Sequence, residues 1–130
     1  GGRNDEGCWT WVSLDKHKLY VASFGDNVVS AFSIMSDNLL EKTLDPNTFK
    51  RRGDLPTGDT KDMHETTDGH LFVSGAFQSH TVTTFNTSSS GALSEISNSP
   101  YYVPTSFGKS KEDHSYLGLT GIDKKEEIKK

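Results

Sequence analysis

Leu19-Tyr20-Val21 is written a second time as Leu71-Phe72-Val73, 52 residues further on, and the echo continues: Phe32 answers Phe85 and Leu40 answers Leu93, each at an offset of 53. Both copies run in one order. A polar turn (Asp15-Lys16-His17-Lys18, then Asp68-Gly69-His70) leads into an apolar strand, a short polar loop, a second strand carrying a Phe, and a last turn before a Leu. Self-similarity at a fixed period is the signature of a repeat architecture. A unit of about 40–50 residues holding several short strands fits one blade of a β-propeller, a four-stranded antiparallel sheet, and such rings close with about 4 to 8 blades. The expected class is therefore all-β, and 130 residues at this pitch hold about two and a half blades.

Outward from the repeat, residues 1–7 are polar and glycine-rich and read as an inter-blade linker. The first blade spans 8–57. It opens on Cys8-Trp9-Thr10-Trp11-Val12, where the two Trp share one face of an extended strand and Cys8, Thr10 and Val12 the other. Two mostly apolar faces suit an inner strand between neighbouring blades. Strands over 18–23 and 28–34 follow, joined by the hairpin turn Phe24-Gly25-Asp26-Asn27, with an outer strand at 40–44. Residues 45–60 carry two Pro and two Gly and read as the loop between blades. The second blade spans 58–99, with strands at 62–66, 70–74, 81–86 and 93–96. A Pro-bearing loop and an inner strand at 116–122 place a third blade within 100–123, and 124–130 is a charged, solvated tail.

Composition excludes several classes. At 32% hydrophobic and 25% charged, the chain is neither membrane-spanning nor compositionally disordered, and it has no run of 18 apolar residues. Eighteen Asp and Glu against 14 Lys and Arg give a net charge of −4 and no basic stripe, so nucleic acid is not an expected partner. One cysteine, Cys8, allows no internal disulfide, and with no Lys, Arg or His beside it we expect a buried, unreactive thiol. His17, His70, His80 and His114 fall in turns or at strand edges without ligand spacing. No metal site and no cofactor are expected.

Cys8-Trp9-Thr10-Trp11-Val12-Ser13, Leu19-Tyr20-Val21-Ala22, Val28-Val29-Ser30-Ala31-Phe32-Ser33-Ile34, and Asp62-Met63 ahead of Thr67-Asp68-Gly69-His70-Leu71-Phe72-Val73 resemble the C-terminal half of the lactonase-type seven-bladed propellers. That family holds propeller-type 6-phosphogluconolactonases, 3-carboxymuconate cyclases and secreted relatives without established activity. The resemblance runs over residues 8–122 and rests on blade motifs, not on the signature of one reaction. It implies a seven-bladed ring and a small lactone or carboxylated substrate at the central channel. Two departures stand out: Asp15-Lys16-His17 replaces the usual Asp-Gly turn, and His64 and Glu65 occupy inner-strand positions that are more often small and apolar.

Those departures supply the candidate catalytic residues. Asp62 and His64 lie two apart on a strand and share a face, the pairing of a general base with its orienting carboxylate, while Glu65 projects from the other face. In the competing reading, the resemblance implies that Asp62 is a tie between blades, accepting backbone N–H groups, and His64 is a satisfied inter-blade histidine. Arg51 and Arg52, in Lys50-Arg51-Arg52, are candidates for neutralising an anionic substrate, for a processing site, or for a solvated loop. Arg52-Gly53-Asp54 also spells an adhesion tripeptide, a motif that arises often by chance. Asn86-Thr87-Ser88 is a glycosylation sequon and points to a secreted protein.

Two and a half blades leave apolar blade faces uncovered, so we expect them to be covered by a second chain carrying the remaining blades, by self-association into a closed ring, or by further blades of a longer protein of which this sequence is a part. Two functions remain open at this point, a secreted lactonase or cycloisomerase-like propeller and a non-catalytic binding or structural module.

Overall fold

A computed structural model describes residues 7–43, 46–56, 58–75, 79–103 and 119–122. The lead-in over 1–6, the Cys8 side chain, most of the loop and third strand expected over 100–118, and the tail over 124–130 lie outside the described residues. Among the described residues there is no helix, and so none long and apolar enough to cross a membrane.

Ten strands form two antiparallel sheets. The first sheet holds β1 (Gly7–Val12), β2 (Lys18–Ser23), β3 (Val28–Ile34), β4 (Leu40–Lys42) and β5 (Thr48–Lys50) in the order β1-β2-β3-β4, with β5 also paired to β3. The second holds β6 (Met63–Thr66), β7 (His70–Gly75), β8 (Thr81–Asn86), β9 (Ser94–Glu95) and β10 (Tyr101–Tyr102) in the order β10-β8-β7-β6, with β9 also on β8. This is consistent with two adjoining blades.

The fourth strand of each sheet differs from expectation in the same way: it is split. β4 pairs with Phe32–Ile34 and β5 with Val28–Ser30, while β9 pairs with Phe85–Asn86 and β10 with Thr81–Val82. At each break the ladder is patched locally. The Ala31 carbonyl accepts from Asn47 Nδ2 (2.9 Å) and Thr43 Oγ1 (3.2 Å), and the Thr84 N–H donates to Ser99 Oγ (3.0 Å). Thr48–Lys50 and Tyr101–Tyr102, expected as loop, are therefore strand, and the second sheet runs past residue 99. Residues 119–122, expected as strand, carry no ladder pairing among the described residues.

The register shows which faces meet. Tyr20 pairs with Ala31 and Ala22 with Val29, and Trp11 and Trp9 lie across from Tyr20 and Ala22 on the same face. In the second sheet Leu71 pairs with Phe85 and Val73 with Thr83, with Met63 across from Val73. These two faces close on each other: Tyr20, Ala22, Val29 and Ala31 pack with Met63, Leu71, Val73, Phe85 and Leu93 in one core, with Trp9, Trp11 and Phe49 against it. Each large apolar side chain buried there contributes about 1.5–3 kcal/mol. The faces are not repeat-equivalent. Leu71, Val73, Phe85 and Leu93 correspond to Leu19, Val21, Phe32 and Leu40, which lie on the far face of the first sheet. The two sheets are thus stacked head to tail, as successive units of a repeat are, and not face to face as in a symmetric sandwich.

Candidate functional site

The inner strands β1 and β6 run beside each other and bring Trp9, Trp11, Asp62, His64 and Glu65 to one edge of the two-sheet stack. Glu65 faces the first sheet. Its Oε1 accepts from the Trp11 indole Nε1 (3.2 Å) and from the Leu14 N–H (2.9 Å), so this carboxylate ties the sheets together. On the other side Asp62 links β6 to 119–122: Oδ1 accepts from the Met63 N–H (2.8 Å) and Oδ2 from the Leu119 N–H (3.0 Å). Its two oxygens are both held by backbone N–H groups.

His64 lies between Trp11 and 119–122. The Trp11 and His64 ring centroids are 5.0 Å apart at 59°, and a Cβ on Gly121 would come within 3.0 Å of His64 Cδ2. The half-buried imidazole makes no hydrogen bond to Asp62 among the described residues. Nearby, Lys61 Nζ sits 3.7 Å over the Phe24 ring and 5.1 Å over Trp9, a cation held against aromatic faces.

Behind this edge lies a hydroxyl without a partner. Tyr20 is fully buried and its Oη has no hydrogen bond among the described residues. Burial, reinforced by the charges of Glu65 and Asp15, pushes the phenol well above its ordinary value. Asp15 is shifted the other way. Hydrogen bonds from the Ser13 hydroxyl and the His17 N–H (2.9 Å), with the Lys18 ammonium at 2.9 Å, hold its carboxyl well below the usual carboxylate range.

Arg51 is not on a solvated loop. Its side chain is fully buried, with Nε donating to Thr83 Oγ1 (2.9 Å), Nη2 to Thr81 Oγ1 (2.7 Å), and Nη1 to Thr60 Oγ1 (2.9 Å) and to Asp59 Oδ2 (3.4 Å). Burial lowers the guanidinium's hold on its proton, and Asp59 opposes that. Room for the guanidinium comes from Gly75, where a Cβ would sit 1.8 Å from Nη2. Asp59 also accepts from Ser79 N (2.9 Å) and Ser79 Oγ (2.6 Å), and Asn27 Oδ1 accepts from the N–H groups of Asp59 and Thr60, each at 3.0 Å. Sequence reasoning missed this network. Its signal is diffuse, one Gly and three Thr converging from three separate segments.

Arg52 is exposed but engaged. Its N–H donates to Glu95 Oε1 (2.6 Å), Nε lies 3.5 Å from Glu95 Oε2, and Nη2 donates to the carbonyls of Ile96 and Ser99. The first residue of Arg52-Gly53-Asp54 is thereby pinned to the second sheet. An open hollow of about 420 Å³ lies beside it, bounded by the Asp26 and Asn27 turn, Lys50, Arg51 and Asp54. Asn86 is exposed at the end of β8. His80, read from the sequence as a turn or strand-edge residue, is buried at 4% exposure. No group of three or more His, Cys, Asp or Glu capable of holding a metal occurs among the described residues.

No protein-family model matches the chain, and no curated protein matches it.

Proposed function

We propose that this chain supplies adjoining blades of a lactonase-type β-propeller and acts there as a binding or structural module, its polar residues serving to hold the blades in register. The observation that carries this is the commitment of the candidate catalytic carboxylates: both Asp62 oxygens are held by backbone N–H groups, and Glu65 Oε1 by Trp11 and Leu14. The Asp62–His64 pair expected of a base with its orienting carboxylate is not formed among the described residues. Arg51 is occupied as well, so an anionic ligand would meet Arg52 and Lys50 first. The glycan-acceptor sequon at the exposed Asn86 fits a secreted protein, with remaining blades supplied from a partner chain or from copies of this one.

A second reading has its own support. The His64 imidazole is half-buried beside Trp11 and makes no hydrogen bond among the described residues, which suits a group free to take or give a proton on a small lactone or carboxylated substrate. One experiment separates the two: hydrolysis of an aldonolactone and cyclisation of a carboxymuconate by the protein, with His64→Ala and the exposed control His17→Ala. The structural reading expects no turnover above background in any form and a lower melting temperature for His64→Ala. Turnover that falls about 10²- to 10⁴-fold in His64→Ala alone would establish the enzymatic reading instead.

A further inference from the structure

The far face of the first sheet is a ready-made copy of a face that is buried elsewhere in the same molecule. Leu71, Val73, Phe85 and Leu93 are 0%, 0%, 1% and 6% exposed because Tyr20, Ala22, Val29 and Ala31 cover them. Their repeat equivalents Leu19, Val21 and Phe32 are only half-buried, Leu40 is 51% exposed, and Val12, across from Leu19 on the same face, is also 51% exposed. A contiguous apolar sheet face of this kind marks an interaction surface. The covering set is also repeated. Phe72, Ser74, Val82 and Thr84 stand where Tyr20, Ala22, Val29 and Ala31 stand, aromatic, small, β-branched and small, on the far face of the second sheet. There Phe72 and Val82 are half-buried while Ser74 and Thr84 are 2% and 8% exposed, and 119–122 meets the β6 edge through Asp62 and His64.

We infer that the far face of the first sheet binds the far face of the second sheet in another copy of this chain, head to tail, with β7 and β8 of one copy seated on β2 and β3 of the next. The contact continues an interface already formed: the two side-chain sets that bury the intramolecular core recur at the two ends of the stack, where Leu40, Val12, Phe72 and Val82 remain accessible in whole or in part. A head-to-tail contact leaves a free donor face and a free acceptor face at its ends, so association proceeds beyond two until a ring closes. The inference rests on the repeat itself and stands whether or not the protein binds a small molecule.

The test is sedimentation velocity of the whole chain over a hundredfold concentration range, alone and with two single variants. Leu40→Glu spoils the acceptor face and Val82→Glu the donor face, each at a side chain outside the buried core. The unmodified chain is expected to show concentration-dependent association, and each variant alone at least a tenfold weaker one. An equimolar mixture of the two variants retains one intact face of each kind and is expected to form a heterodimer that grows no further. Circular dichroism and Trp9/Trp11 emission report whether each variant keeps its fold; Val12→Glu and Val82→Thr replace a variant that does not. A chain that stays monomeric throughout would overturn the inference. So would a Val82→Glu variant that associates normally while Leu40→Glu does not, since that pattern belongs to a symmetric pairing of first-sheet faces.

Discussion

Trp11 rests its indole against the imidazole of His64, and the two residues hold the same place in successive repeats, one across from Tyr20 and the other across from its counterpart Phe72. Gly121 then closes on His64 as His64 closes on Trp11. Contact between the two sheets therefore runs through equivalent positions on their inner strands. The inner-strand departure that made His64 a catalytic candidate is also the place where His64 packs on Trp11.

Arg51 anchors the second sheet to the connection that precedes it, and its loss should be costly. Arg51→Met leaves Asp59 buried without its cation, and removing one member of a buried pair typically costs about 3–5 kcal/mol. Urea unfolding followed by Trp emission measures this. The double variant Arg51→Met/Asp59→Asn is expected to recover part of the loss, and a single-variant loss below about 1 kcal/mol would contradict the assigned role.

Tyr20 carries a hydroxyl that the repeat does not need, since Phe72 fills the equivalent place without one. Tyr20→Phe is expected to leave stability unchanged or raise it by about 1 kcal/mol, because a buried hydroxyl without a partner is a net cost. The pH dependence follows with a definite sign. The folded phenol binds its proton more tightly than the unfolded one, so this contribution is fully present below the ordinary phenol value of 10.0 and is lost as pH rises toward the higher folded value. Alkaline unfolding between pH 9 and 12, titrated at about 0.5 pH-unit steps, should be less steep in Tyr20→Phe. An identical alkaline profile in both proteins would contradict this.

At the acid end the sign reverses. The folded Asp15 carboxyl is held below its unfolded value, so its contribution is present above about pH 4 and is lost as pH falls toward the folded value. Asp15→Asn should flatten the acid limb of the stability curve below pH 4 while leaving the neutral plateau lower, as read by thermal melts. An unchanged acid limb would remove Asp15 from acid sensitivity.

Lys16 sits at φ 63°, where the second repeat places Gly69 at φ 87°. A left-handed non-glycine residue costs roughly 1–2 kcal/mol, offset in part by the greater unfolded-state freedom of glycine. Lys16→Gly should therefore stabilise by about 0.5–1 kcal/mol in chemical denaturation. Destabilisation would mean that the Lys16 side chain makes a contribution of its own.

The repeat was legible because burial on one face writes period-2 apolar runs, and Leu19-Tyr20-Val21 with Leu71-Phe72-Val73 carry that record in both copies. The outer strands were legible only in part. β5 and β10 are two or three residues long, polar or exposed, and sit near Pro46 and Pro100, so their pairing is set by β3 and β8 and not by local preference. Both possible roles of Asp62 are legible in the sequence, whereas the hydrogen bond from Leu119 is not, because it comes from a segment 57 residues away. Arg51 was not legible at all as a buried group. A run of three cations reads as solvated loop, and only the distant Gly75, Thr60, Thr81 and Thr83 make a dry socket for it.

The two sheets pack head to tail through faces that are not repeat-equivalent, and methyl-resolved NOE spectroscopy of the chain tests that packing. The account predicts cross-peaks from the Ala22 and Ala31 methyls to Leu71, Val73 and Leu93, and from the Trp11 indole to the His64 ring. Cross-peaks from Leu19 and Val21 to Leu71 and Val73, with none from Ala22 and Ala31, would mean that equivalent faces meet, and would contradict it.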